Sequence, residues 1–151
     1  MPSFLIAPTT ALNPDMRILS AEAASEGFGF VDRLIEDWLN GANRFEKPGE
    51  LLLGGFREGS LLAVCGLNRD PYIDRSQVGR LRHLYVLRSA RGEGIASALV
   101  RRVLSEAKGV FPIVRLRTHT REAAEFYGRL GFVQITDETS TNVIRLPWSE
   151  G

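Results

Sequence analysis

The chain is poor in several features on which whole classes of protein depend. A single cysteine, Cys65, leaves no partner for an internal disulfide and excludes a small scaffold stapled from within. Neither charge sign dominates: 19 basic against 18 acidic residues give a net charge of +1 and a pI near 7.9, with the two signs interspersed. That balance offers no electrostatic case for nucleic acid or an anionic membrane as a partner. No run approaches the roughly 18 apolar residues needed to span a bilayer. The start, Met1 to Pro8, has no basic residue ahead of its short apolar run, so a soluble, cytoplasmic protein is expected. No internal repeat is visible and no metal site is expected. Two nucleotide loops are also missing, the G-x-x-x-x-G-K-[ST] P-loop and G-x-G-x-x-G.

What is present is enough apolar material, 44% of 151 residues, for one substantial core but hardly two, which predicts a single domain over residues 1–151. Phe4 to Ala7 reads as a short strand and Asp15 to Glu26 as a helix. Phe30, Leu34 and Trp38 form one helical row and Val31, Ile35 and Leu39 its neighbour, an amphipathic helix ended by Gly41 or Asn43. Leu51 to Phe56 and Leu61 to Leu67 flank Glu58-Gly59 and predict a hairpin. A polar loop from Asn68 to Ser76 leads to a strand, Val78 to Leu87. A helix follows from Gly92, stopped by Gly109 and Pro112. Ile113 to Thr118 is a strand, Arg121 to Leu130 a helix capped by Gly131, and Phe132 to Ile135 and Val143 to Leu146 are closing strands. Strands and helices mixed in this order predict an α/β sheet with helices on both faces.

The most informative segment is Arg91-Gly92-Glu93-Gly94-Ile95-Ala96-Ser97, which joins the strand ending Leu84-Tyr85-Val86-Leu87 to a helix. Glycines let the backbone turn tightly and leave amide N–H groups uncovered. The helix adds unpaired N–H groups and the positive end of its dipole, so the turn is suited to a diphosphate, with Arg91 supplying one full charge. Taken alone, such a turn is also compatible with a plain connection. A second segment, Ala123 to Phe132, follows one predicted strand and ends in another.

Together the two segments resemble the GCN5-related N-acetyltransferase (GNAT) family. Its acetyl-CoA loop, [QR]-x-x-G-x-[GA], is matched by Arg91, Gly94 and Ala96, and its later helix, A-x-x-x-Y-x-x-x-G-F, by Ala123, Tyr127, Gly131 and Phe132. The resemblance covers about residues 50 to 135; nearer the N-terminus it rests on element order. It implies a GNAT-like fold with a central mixed, mostly antiparallel sheet, and direct transfer of an acetyl group from acetyl-CoA to a primary amine of a small molecule or peptide. It implies that amides from Arg91, Gly92, Gly94, Ile95, Ala96 and Ser97 hold the diphosphate, that the main chain of Leu84, Tyr85 and Val86 pairs with pantetheine, and that Tyr127 protonates the departing thiolate. A catalytically inactive CoA-binding module of the same fold is the alternative, motivated by Arg80, which stands where many relatives carry a glutamate.

Other residues stay open between a site and a structural role. His83 is the nearest base for the amine, or a ring packed on a neighbouring element, depending on a strand bulge. Thr120 either caps the following helix or contacts the cofactor, where many relatives have asparagine. Arg80 and Arg82 share a strand face and either meet an acidic acceptor or pair with acids of the chain. His119 lies at the end of the next strand, at the site or on the surface. Cys65 reads as a small buried hydrophobe rather than a covalent carrier. Trp148 packs over a sheet edge or lines an acceptor pocket. A homodimer is expected only from the general possibility of an exposed sheet edge.

Overall fold

In the computed structural model, which describes residues 3–73 and 77–147, the hairpin forms around two residues of opposite constraint. Glu58 and Gly59 both take positive φ, 50° and 83°, the geometry that matches the natural twist of two antiparallel strands. They join β2 (Leu51–Arg57) to β3 (Ser60–Arg69). On one side β1 (Leu5–Pro8) adds to β2; on the other, β4 (Val78–Val86) adds to β3. The sheet runs β1-β2-β3-β4-β5-β7-β6, where β5 is Ile113–Leu116, β6 Val133–Gln134 and β7 Asn142–Arg145. Every pair is antiparallel except β4 with β5.

Helices cover both faces, as expected. On one face α3 (Ile95–Ala107) and α4 (Arg121–Arg129) pack Leu99, Val103 and Tyr127 against Leu53, Ala63 and Leu67. On the other, α1 (Met16–Ser25) and α2 (Phe30–Asn40) pack Met16, Leu19, Val31 and Leu34 against Leu52 and Val64. Removing one such side chain, as in Leu99→Ala, costs about 2–5 kcal/mol. No helix among the described residues is long and apolar enough to cross a membrane.

Two sequence expectations shift. Leu39, assigned to the buried row of α2, is 57% exposed, whereas Val31, Leu34 and Ile35 are buried. The row drifts by about 40° per four residues, so Leu39 has rotated about 80° from Val31 and leaves the sheet. The strand expected from Phe132 is only Val133–Gln134, because Gly131 (φ 104°) turns the buried Phe132 ring into the core against Tyr127. Trp148 lies outside the described residues.

Candidate functional site

The site is opened by the way β4 leaves its neighbour. β4 pairs with β5 at three residues only, from Val78 with Ile113 to Arg80 with Arg115, and β5 stops at Leu116. Among the described residues the β5-facing edge of β4 is therefore unpaired from Leu81 to Val86. On its other edge the register slips: Val64 pairs with Tyr85 but Gly66 with Arg82, which leaves one extra residue in β4. The bulge includes His83, whose φ of 61° lies in the left-handed region. A bulge bends its strand and re-aims its side chains. Leu81, Leu84 and Val86 face α3, whereas the His83 ring lies 6.4 Å from Phe30 and 6.2 Å from Phe45, on the side of α2. The position of the bulge, unreadable from the sequence, thus decides the face His83 takes.

The opening is a cleft of about 1080 Å³. One wall is the turn after β4. Gly92 and Gly94 take φ of 81° and 85°, a conformation open to glycine at little cost, and no atom lies within 4 Å of where a Cβ would sit on either. The amide edge is thus bare, and Gly94 stands as the N-cap of α3 without a side-chain cap, so the first N–H groups of the helix have no capping partner. Ile95 is buried against the core and anchors the helix, while Ala96 and Ser97 are half-buried and line the cleft. The bare amides and the unpaired strand edge fit a diphosphate followed by an extended amide-bearing chain.

Arg91 differs from expectation. Its Nη1 and Nη2 donate to Glu26 at 3.1 and 2.7 Å, and its Nε donates to the Val86 carbonyl at 3.0 Å. The Arg91 guanidinium holds the Glu26 carboxyl down to about 2, and the Tyr85 hydroxyl helps. Tyr85 Oη lies 2.7 Å from Glu22 Oε1 and 2.6 Å from Glu26 Oε1 and donates its one proton to either carboxylate. The backbone N–H of Arg88 also donates to Glu22, at 2.8 Å. The charge of Arg91 is therefore already matched by α1, and the anion-binding capacity of the turn rests mainly on its amides. Glu22 and Glu26 were missed in the sequence, although two acids spaced i,i+4 in the last turns of a helix repel each other and oppose its dipole, and so ask for basic partners.

Tyr127, on α4, lines the same cleft and is 8% exposed. Its ring packs edge-on to Phe126 and Phe132 at 5.0 and 5.5 Å. No hydrogen bond from a described residue engages its hydroxyl. Burial pushes its pKa above the usual tyrosine value, with Cys65 adding to the effect, so the proton stays on oxygen. Cys65 is itself fully buried, and burial pushes its thiol up to about 12, which keeps it an inert hydrophobe. Thr120 caps α4, its Oγ1 accepting from Ala123 N–H at 3.1 Å, while also lining the cleft; His119 is exposed along the same rim.

At the far end of the cleft the residues divide. Arg80, buried, donates to Asp70 (3.4 Å), Ser140 (3.1 Å) and the Thr139 carbonyl (2.6 Å), beside Arg115, which shares Asp70. It is a structural cation pairing with the chain's own acid. Arg82 is half-buried and lines the cleft with Arg33 of α2, and neither forms an ion pair with any described residue. His83 is 7% exposed and neither ring nitrogen has a hydrogen-bond partner of good geometry among the described residues. Burial lowers its pKa to about 3, with Arg82 and, to a smaller extent, Arg33 acting in the same direction and the Phe30 backbone opposing. The imidazole is neutral at physiological pH and a weak proton acceptor, which counts against its expected part as the main base. A smaller hollow of about 460 Å³ beyond α4, lined by Arg121, Glu125, Gln134 and Asn142, includes Phe132 but none of the glycine-turn residues and not Tyr127. Among the described residues no group of three or more His, Cys, Asp or Glu is placed to hold a metal ion.

A mostly antiparallel sheet splayed at its one parallel pair, with a glycine turn feeding a helix at the split, defines a protein of the acyl-CoA N-acyltransferase class. The chain belongs to the GNAT family of acetyltransferases, whose sequence profile matches residues 15–132. Among solved structures it is similar to an assigned acetyltransferase of Exiguobacterium sp. 255-15, with 27% identity, a TM-score of 0.83, and 94% and 93% of the two chains covered. At the level of fold it is similar to the PaiA N-acetyltransferase of Thermoplasma acidophilum, solved with coenzyme A (16% identity, TM-score 0.65, 95% and 99% covered). The N-acetylglutamate synthase of Neisseria gonorrhoeae, solved with coenzyme A and N-acetyl-glutamate, gives 13% identity and a TM-score of 0.70 over 95% of this chain and 35% of that one. No curated protein matches the sequence.

Proposed function

We propose that the protein is an acetyl-CoA-dependent N-acetyltransferase that moves an acetyl group directly to a primary amine, acting in the cytoplasm. The observation that carries this reading is the placement of Gly92 and Gly94, the unpaired edge of β4 and the Tyr127 hydroxyl around one cleft. Amides from Arg91 to Ser97 hold the diphosphate. The main chain of Leu84 to Val86 pairs with pantetheine as an added strand, and one N–H beside the bulge polarises the thioester carbonyl. Thr120 contacts the cofactor only secondarily, because its Oγ1 already caps α4.

The amine nitrogen attacks the carbonyl carbon, the carbon–sulfur bond breaks, and the Tyr127 hydroxyl gives its proton to the departing sulfur. Burial raises the affinity of the Tyr127 hydroxyl for its proton, so the group stands protonated before transfer and is available as the donor. The amine's proton leaves through water, and solvent returns one to Tyr127. His83, neutral, accepts a hydrogen bond from the amine and orients it rather than keeping its proton.

A second reading, a CoA-binding module without turnover, is favoured by the low basicity of His83 and by the structural use of Arg80. Thiol release from acetyl-CoA in the presence of amines separates the two: turnover that falls in Tyr127→Phe supports the enzyme, while CoA binding with no turnover against any amine supports the module.

A further inference from the structure

Of the six arginines that line the cleft, Arg80 and Arg91 are ion-paired and Arg117 donates to the Glu138 carbonyl, while Arg129, on α4, and Arg33 and Arg82 form no ion pair with a described residue. Arg91 and Arg88 engage the α1 acids, and Arg80 and Arg115 share Asp70. Arg33 and Arg82 have no acidic partner among the described residues, yet both line the cleft and both act on His83. The acids lining the same cleft are Glu26, already held by Arg91, and Glu122, on α4. The amine-receiving end therefore carries two guanidiniums unmatched by any described acid, around a buried imidazole whose two nitrogens lack partners among the described residues, 7% exposed and beside the rings of Phe30 and Phe45.

Orphaned buried polar atoms are rare, and here they lie in the wall of an open cleft, where a bound molecule would complete them. The β3 partners of Arg82 and Val86, Gly66 and Ala63, are three residues apart, which puts the Arg82 position about 10 Å along the sheet from Val86 at the cradle, at roughly 3.3 Å per residue. The two cations therefore stand away from the diphosphate, next to the bulge at which the amine must approach. A cationic polyamine would be repelled by such a wall. A carboxylate would be met by planar guanidiniums able to bind it in bidentate fashion.

We propose that the acceptor is a small amine that also carries a carboxylate, of amino-acid type, with Arg33 and Arg82 binding the carboxylate while His83 accepts a hydrogen bond from the amine. The inference rests on the N-acetyltransferase reading and deepens it by naming the substrate class.

The test compares L-amino acids with the matching amino-acid amides, and with spermidine, as acceptors in thiol release from acetyl-CoA. Amidation makes the amine less basic and so favours the amide in the absence of a carboxylate site. We expect the best amino acid to exceed its amide by at least about 10-fold in kcat/KM, mostly through KM. The double variant Arg33→Gln/Arg82→Gln should abolish that preference while acetyl-CoA affinity, read by calorimetry, is unchanged. An amide or spermidine that serves as well as the acid, or a preference that survives in the double variant, overturns the proposal. Failure of the folded protein to bind acetyl-CoA would instead sink the parent reading. Calorimetry with amino acids and amides alone would still read the charge preference, and equal binding of the two would overturn the carboxylate site.

Discussion

The two ends of the cleft are built by different means. At the cradle end the polar groups left bare belong to the main chain: amides exposed by Gly92 and Gly94, the start of α3, and the edge of β4 that no described strand pairs. The one strong cation there, Arg91, is largely occupied by Glu26. At the other end the polar groups lining the cleft are side chains, Arg33, Arg82 and His83, brought together from α2 and from a bulge in β4. A site made of backbone demands particular conformations, and those demand particular residues at fixed spacing. A site made of side chains can be assembled from any elements the fold brings together, and leaves no local pattern.

That difference can be broken or sharpened by substitution. The largest effect is expected between the two ends, at the reacting centre: Tyr127→Phe should lower kcat by about 100-fold while acetyl-CoA affinity stays within about threefold. A retained kcat would remove Tyr127 as the acid. Next, Gly94→Val places a branched side chain at φ 85°, costing about 1–2 kcal/mol of backbone strain, and fills the bare face of the turn. Its dissociation constant for acetyl-CoA should rise by about 30-fold or more. If the backbone is the binding element, Arg91→Ala should do much less, about fivefold, because that guanidinium is already paired; an effect as large as that of Gly94→Val would show that charge, not main chain, dominates the cradle.

His83 tests the other end through stability. Its folded pKa, about 3, lies below the ordinary 6.5, so the unfolded chain binds the extra proton first. The stability contributed by keeping the ring neutral is complete above pH 6.5 and is lost as pH falls towards 3. Between pH 6.5 and 5 the loss should be roughly 2 kcal/mol, and the denaturation midpoint should move accordingly. His83→Gln should flatten that slope. The low pKa of Glu26 acts in the same direction but only below about pH 4.5, which leaves the upper window to His83. A slope unchanged in the variant would mean that the ring is not held neutral by burial.

The same contrast explains what could be read in the sequence. The glycine turn, the helix after it, the hairpin and the Tyr127 helix are local patterns, and all appear in the fold. The face of His83 could not be read, because it follows from a one-residue slip between β3 and β4 that no residue type marks. Arg80 and Arg82 alternate on one strand face and look equivalent, yet Asp70, Ser140 and Thr139 arrive from distant loops to bury one and not the other. Arg33 was legible only as a polar residue on the outer side of an amphipathic helix. Its partnership with Arg82 depends on how α2 lies across β4.

The most direct test of the central claim is a calorimetric titration of acetyl-CoA into the wild-type protein and into Gly94→Val, with folding of the variant checked by its melting curve. The account predicts micromolar binding to the wild type and binding weakened by about 30-fold or more in a folded variant. Equal affinity of the two, or no binding to the folded wild type, would contradict a cradle made of backbone amides.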